Sequence, residues 1–157
     1  MNALVVYYSK FGNTRKVAEA IAETLGSEGP VRLIGTDELT PSDLEDADLV
    51  VMGTPTHRMN LPDAVRPVFE PLPKGILRAT RMAAFDTSYK MSAWLAPFTA
   101  ARKLARMLRK LGGKQIVPPE TFRVVEREGP LYEGEIGRAQ AWAETVAAMC
   151  VRSSEPR

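Results

Sequence analysis

The chain has 157 residues, the length of a single domain. With 45% hydrophobic and 25% charged residues it has ordinary globular composition, which excludes a disordered, collagen-like or disulfide-dense chain. One cysteine, Cys150, leaves no internal disulfide, and with one histidine, His57, no Cys/His zinc site. No apolar run approaches the roughly 20 residues of a membrane-spanning helix, and Ala3 to Tyr8 is too short for a signal-peptide core, so the expectation is a cytoplasmic protein without membrane insertion. The net charge of +2 is unevenly spread. Residues 1–73 hold 6 basic and 11 acidic side chains, residues 74–114 hold 10 basic and 1 acidic, and residues 115–157 hold 5 and 7. The central basic block reads either as a solvated helix face or as a docking surface for an acidic partner.

Ala3 to Tyr8 is a β-branched and aromatic run without polar alternation, as in a strand covered on both faces. After the loop Ser9 to Thr14, the positions Val17, Ala18, Ile21, Ala22 and Leu25 recur with helical period until Gly26. Val31 to Ile34 forms a second strand, Asp48 to Met52 a third ending at Gly53, and Arg81 to Phe85 a fourth ending at Asp86. Asn60 to Glu70 has helical spacing, which Pro67 distorts. Leu95 to Leu111 predicts an amphipathic helix whose outer face carries Arg102, Lys103, Arg106, Arg109 and Lys110. Lys114 to Val117 begins a fifth strand that Pro118 and Pro119 interrupt and Thr121 to Val125 extends. A last helix from Glu133 to Val151 turns Ile136, Ala139, Trp142, Ala143, Val146 and Met149 to the core, and residues 152–157 form a disordered tail after a single domain, 1–151.

Strands alternating with helices predict an α/β fold, a doubly wound parallel sheet of five strands in the order 2-1-3-4-5. Ligands of such sheets sit beyond the carboxyl ends of the strands where the order reverses, between the first and third. Three loops converge there. Ser9-Lys10-Phe11-Gly12-Asn13-Thr14 precedes the first helix, where unpaired N–H groups and the helix dipole suit a phosphate; without a ligand, Asn13 or Thr14 would cap the helix. Gly53-Thr54-Pro55-Thr56-His57-Arg58-Met59-Asn60 follows the third strand, and Asp86-Thr87-Ser88-Tyr89-Lys90-Met91-Ser92-Ala93-Trp94 the fourth. Both mix small hydroxyl residues with flat side chains, which suits a planar heteroaromatic ligand, with His57, Tyr89 and Trp94 as candidate stackers.

The start Tyr8-Ser9 with Gly12-Asn13-Thr14, the third-strand end Val51 to Thr56 and the fourth-strand end Asp86 to Tyr89 resemble, in the same order, the flavodoxin family over essentially the whole chain. The resemblance implies a flavodoxin-like fold of the short-chain kind and noncovalent FMN. It implies that Ser9, Gly12, Asn13 and Thr14 hold the phosphate, with Lys10 and Phe11 in the same cofactor-binding loop, and that Thr54, Pro55, Thr56, His57, Arg58, Asp86, Thr87, Ser88 and Tyr89 flank the isoalloxazine. Phe11 stands where the family commonly has a second Thr, and Thr56 to Asn60 lacks the Gly that electron carriers of the family place near flavin N5. Those carriers are acidic around the flavin, whereas Lys10, Arg58 and Lys90 belong to the loops here, and positive charge near the ring raises its potential.

The expected function is FMN-dependent electron transfer, either to a redox partner protein or as two electrons to a small, quinone-type acceptor that His57 or Tyr89 would orient or protonate; no residue is assigned as catalytic. The alternative is a flavodoxin-fold interaction module with weak or no FMN binding, docking an acidic partner on the basic helix. Nucleic acid is not expected, because the basic face has no interleaved aromatic platform. A phosphoacceptor receiver would need acids where Tyr7-Tyr8 and Met52-Gly53 stand. A low-molecular-weight tyrosine phosphatase would need a cysteine in the first loop, but the cysteine is Cys150, in the last helix, where it reads as packing.

Overall fold

The computed structural model describes residues 1–57, 60–89 and 99–156. Its strands are β1 (Ala3–Tyr7), β2 (Val31–Gly35), β3 (Leu49–Pro55), β4 (Arg81–Tyr89), β5 (Lys114–Gln115) and β6 (Glu120–Val124). The α-helices are α1 (Asn13–Leu25), α2 (Pro41–Glu45), α3 (Arg66–Phe69), α4 (Ala100–Lys110) and α5 (Glu135–Arg152). The ladders are parallel and run in the order β2-β1-β3-β4-β5, as the sequence predicts. β5 and β6 are two pieces of one edge strand: β5 pairs with Arg81 and Met82, β6 with Phe85 to Tyr89. Between them Pro118 and Pro119 have no N–H to give a ladder.

Side chains alternate across this sheet. Ala3, Val5, Leu49, Val51, Ala83 and Phe85 pack with α1 and α5, while Leu4, Val6, Val50, Met52, Met82 and Ala84 pack with α4 and Leu44 of α2. Burial on both faces is why these strands show no polar alternation. The rings of Phe85, Phe122 and Trp142 meet edge to face with every centroid pair 6.0 Å apart, a rigid cluster beneath the end of β4. Cys150 is buried in the same core, where burial pushes its thiol pKa up.

Several boundaries differ from the expected ones. β3 runs past Gly53 to Pro55 and β4 past Asp86 to Tyr89, because each extension finds a partner: Thr54 and Pro55 pair with Asp86 and Thr87, and β6 pairs the outer edge of β4. The helix expected over Asn60 to Glu70 contracts to α3, since Pro67 without an N–H fits only a first turn. α4 begins at Ala100; Thr99 is extended at φ −66°, ψ 153°, and residues 95–98 of the predicted helix lie outside the described ones. Its outer face is basic, with Arg102, Arg106, Arg109 and Lys110 exposed.

α5 starts at Glu135, and Ile136, expected in the core, is exposed. The place against β6 goes to Arg138, whose guanidinium lies 4.8 Å from the Phe122 ring centroid and bonds Glu120, Glu135 and the Thr121 carbonyl. Arg152 is the last helical residue, and Ser153 N–H bonds the Met149 carbonyl beyond it. Among the described residues no helix is long and apolar enough to cross a membrane.

Candidate functional site

The first loop leads from β1 into α1 through Gly12, the N-cap, at φ 92°, ψ −8°. This left-handed conformation suits glycine. Neither Asn13 nor Thr14 caps the helix. The closure falls to Ser9, whose Oγ accepts from Gly12 N–H at 3.1 Å and Arg15 N–H at 3.3 Å and keeps its own proton to donate. Asn13 Nδ2 donates to the Glu128 carbonyl at 3.0 Å. Thr14 Oγ1 lies 2.8 Å from Thr87 Oγ1, a buried pair that uses one hydroxyl hydrogen and leaves the other. Among the described residues, the backbone N–H groups of Phe11, Asn13 and Thr14 have no acceptor, and the first turn of α1 carries no acidic side chain.

The second and third segments are stitched to each other and to α4. Thr56 N–H donates to the Thr87 carbonyl at 2.9 Å, and Thr56 Oγ1 donates to Asp86 Oδ2 at 2.6 Å. Asp86 Oδ2 also accepts from Ala101 N–H at 3.1 Å, and Thr56 Oγ1 from Ala100 N–H at 3.1 Å. The carboxylate thus anchors the start of α4, where the helix dipole favours it. Among the described residues, its other oxygen, Oδ1, is buried with no hydrogen-bond partner. Burial pushes the Asp86 pKa up, opposed by the hydrogen bonds it accepts. His57 and Asn60 exchange backbone bonds of 2.8 and 2.9 Å, closing the second loop, and Lys103 of α4 donates to Asn60 Oδ1 at 3.0 Å.

These segments surround a cleft of about 750 Å³ including its solvent-open mouth. Ser9, Lys10, Phe11, Asn13 and Thr14 line one side, Pro55, Thr56 and His57 another, and Thr87, Ser88 and Tyr89 a third. Of the residues singled out from sequence, Thr54 and Asp86 are buried beneath the wall, and Gly12 is not part of the lining. Arg58, Lys90 and Trp94 lie outside the described residues. The cleft has a fourth side that sequence reasoning missed, formed by Val124 at the end of β6 and Arg127 in the turn after it. In sequence, Glu126-Arg127-Glu128 reads as a solvated turn; only the β4–β6 ladder and the Asn13–Glu128 bond, spanning 115 positions, bring it here. Among the described residues no Asp or Glu lines the cleft, whereas Lys10 and Arg127 do.

The model of one protein family, described as flavodoxin, matches residues 5–149. The chain belongs to the flavodoxin family. Membership implies FMN as the cofactor. Among curated proteins this chain is similar to a flavodoxin of Aquifex aeolicus strain VF5, 46% identical over 56 residues. That alignment covers 34% of this chain and 30% of the relative, so the chain spans under a third of that relative's length. Among solved structures it resembles a flavodoxin from the domain Archaea, with 19% identity, a TM-score of 0.72 and coverage of 96% of this chain and 99% of that one. Oxidised flavodoxin 1 from Bacillus cereus gives 17%, 0.76, 99% and 100%. Rubredoxin:oxygen oxidoreductase from Desulfovibrio gigas gives 21%, 0.77, 98% and 37%. At these identities the likeness is one of fold.

The residues present fit a phosphorylated flavin. Three unspent N–H donors stand at the head of a 13-residue helix, and a Cβ built on Gly12 meets nothing within 4 Å, so the loop leaves room for an anion beside its backbone. Pro55, His57 and Tyr89, the last half exposed, offer flat surfaces at the other end. In the phosphate loop Phe11 departs from the family, exposed, with Lys10 Nζ 5.5 Å from its ring centroid, where a hydroxyl is common.

Proposed function

We propose that this flavodoxin holds FMN noncovalently in the cleft and passes electrons to a redox partner protein. The Phe11, Asn13 and Thr14 N–H groups and the Ser9 hydroxyl would hold the phosphate, and the segments Thr54 to Arg58 and Asp86 to Tyr89 would flank the isoalloxazine. Bound FMN supplies reversible uptake of one or two electrons. The protein's share is position and electrostatics. Tyr89 and His57 set the ring's faces, Asp86 and Thr56 fix the wall behind it, and Lys10 adds positive charge to the cleft.

One observation carries the reading: among the described residues, three unpaired N–H donors open α1 in a loop lining a cleft that contains Lys10 and Arg127 and no carboxylate. The test is the visible absorption spectrum of the purified protein before and after addition of FMN and dialysis. Flavin bands that survive dialysis support the assignment, and a protein that remains colourless after both steps refutes it.

Two features support other readings of the same site. Tyr89 is exposed at the mouth, which leaves that side of the cleft open to a small quinone-type acceptor. On α4, Arg102, Arg106 and Lys110 are exposed and make no ion pair with any described residue, which suits docking of an acidic protein, with FMN held weakly or not at all in the extreme case. Anaerobically reduced protein mixed with benzoquinone or with an acidic redox protein separates these readings by which acceptor is reduced faster.

A further inference from the structure

We infer that Arg127 is a phosphate-binding residue of this site, its guanidinium pairing with the phosphate of FMN and making the protein select phosphorylated flavin over riboflavin. The inference rests on the proposed placement of the phosphate at the head of α1.

The turn after β6 is built to hold this side chain in place. Val124 pairs with Tyr89 in the ladder and with Leu131 in an isolated antiparallel bridge. Val125 N–H bonds the Pro130 carbonyl at 2.8 Å, Gly129 N–H the Glu126 carbonyl at 3.0 Å, and Tyr132 N–H the Arg123 carbonyl at 2.9 Å. The closed turn presses on the first residue of α1. The Glu128 carbonyl accepts from Asn13 Nδ2, and a Cβ on Gly129, at φ 103°, would lie 2.6 Å from Asn13 Oδ1, so only glycine allows this approach. Arg127 is therefore carried on a segment fixed to the phosphate loop.

The cation itself is unspent. Arg127 lines the cleft and makes no hydrogen bond or ion pair with any described residue. Among the described residues around it, Arg15 pairs with Glu19 at 2.9 Å, Arg138 with Glu120 and Glu135, and Lys10 lies over the Phe11 ring. Glu126 and Glu128, its neighbours, do not line the cleft. A phosphomonoester carries about −1.5 to −2 charges at neutral pH, more than the partial charge of a helix N-terminus balances, and a guanidinium fork matches its oxygens. Phe11 removes one hydroxyl from the usual loop, which increases the share left to such a cation.

The test is a titration of flavin-free protein with FMN and with riboflavin, read by flavin fluorescence, for the wild type, Arg127→Ala and Arg127→Lys. Removing one charge-assisted contact should weaken FMN about 10- to 100-fold while leaving riboflavin within about twofold, with Arg127→Lys between the two. The FMN affinity of the wild type should also fall more steeply with salt than that of Arg127→Ala. Equal weakening of both flavins, or of neither, overturns the inference while leaving the cleft as the FMN site. A wild-type protein that binds neither flavin overturns the reading of the cleft and the inference with it.

Discussion

Replacing Gly12 with alanine separates what the backbone of the first loop requires from what its ligand requires. At φ 92°, ψ −8° an L-residue pays about 1–2 kcal/mol, while the added Cβ meets nothing within 4 Å and adds no clash to the free protein. For a chain of this size, 1 kcal/mol corresponds to roughly 2–4 °C, so the thermal midpoint of flavin-free Gly12→Ala should fall by about 2–8 °C. Gly12→Asn, which tolerates the left-handed region better, should fall by less. The binding cost has a different origin. If the phosphate occupies the space beside the Gly12 backbone, the new methyl overpacks that space at about 1–3 kcal/mol, roughly 5- to 150-fold in FMN affinity. Thermal denaturation followed by FMN titration of the same sample measures both terms. A variant that loses stability but keeps wild-type affinity would refute the phosphate placement, and one that loses no stability would refute the left-handed cap.

The remaining predictions concern Asp86, Phe11 and α4. Burial raises the folded-state pKa of Asp86 above the ordinary 3.8, so the stability linked to its proton is complete below the unfolded value and is lost as pH rises through the folded one. Asp86→Asn, which can still accept from Thr56 and Ala101, should therefore gain stability relative to wild type in urea titrations as pH is raised from 4 to 7; a difference constant with pH contradicts this. Phe11→Thr restores a hydroxyl to the loop and should tighten FMN by up to about tenfold without affecting riboflavin; unchanged FMN affinity would place residue 11 outside the phosphate site. Replacing Arg102, Arg106 and Lys110 by Glu should slow reduction of an acidic redox protein and remove its sensitivity to salt, and equal rates at every ionic strength would exclude α4 as the docking face.

What was legible in the sequence follows from how local each cause is. The unbroken apolar runs of β1 and β3, and the helical period of α1, α4 and α5, depend on neighbours within a few positions, so strand order and the two covered faces followed from pattern. The ends of elements depended on partners far away. Asp86 to Tyr89 reads as loop because nothing local shows that Glu120 to Val124 will pair with it, and α4 starts at Ala100 because Thr56 and Asp86 hold its first N–H groups. The same holds in the site. Thr14 reads as a cap or phosphate donor, but its hydroxyl also meets Thr87 across 73 positions. Asp86 reads as a lining residue, but the start of α4 buries it. Arg127, between two glutamates, carries no local sign of facing a cleft.

The ladder under the cleft also sets where this chain can change length over evolutionary time. Along β4, Phe85 and Thr87 face α1 while Asp86 between them faces α4. Deleting or inserting one residue there exchanges the faces of everything beyond it, turning a carboxylate into the Phe122–Trp142 aromatic cluster and the Thr14 partner away from α1. Because β3 and β6 pair both edges of this stretch, the error cannot be absorbed locally. Descendants of this chain should therefore keep the length of β4 fixed, so that partner contacts change around the mouth of the cleft while its floor is inherited unchanged.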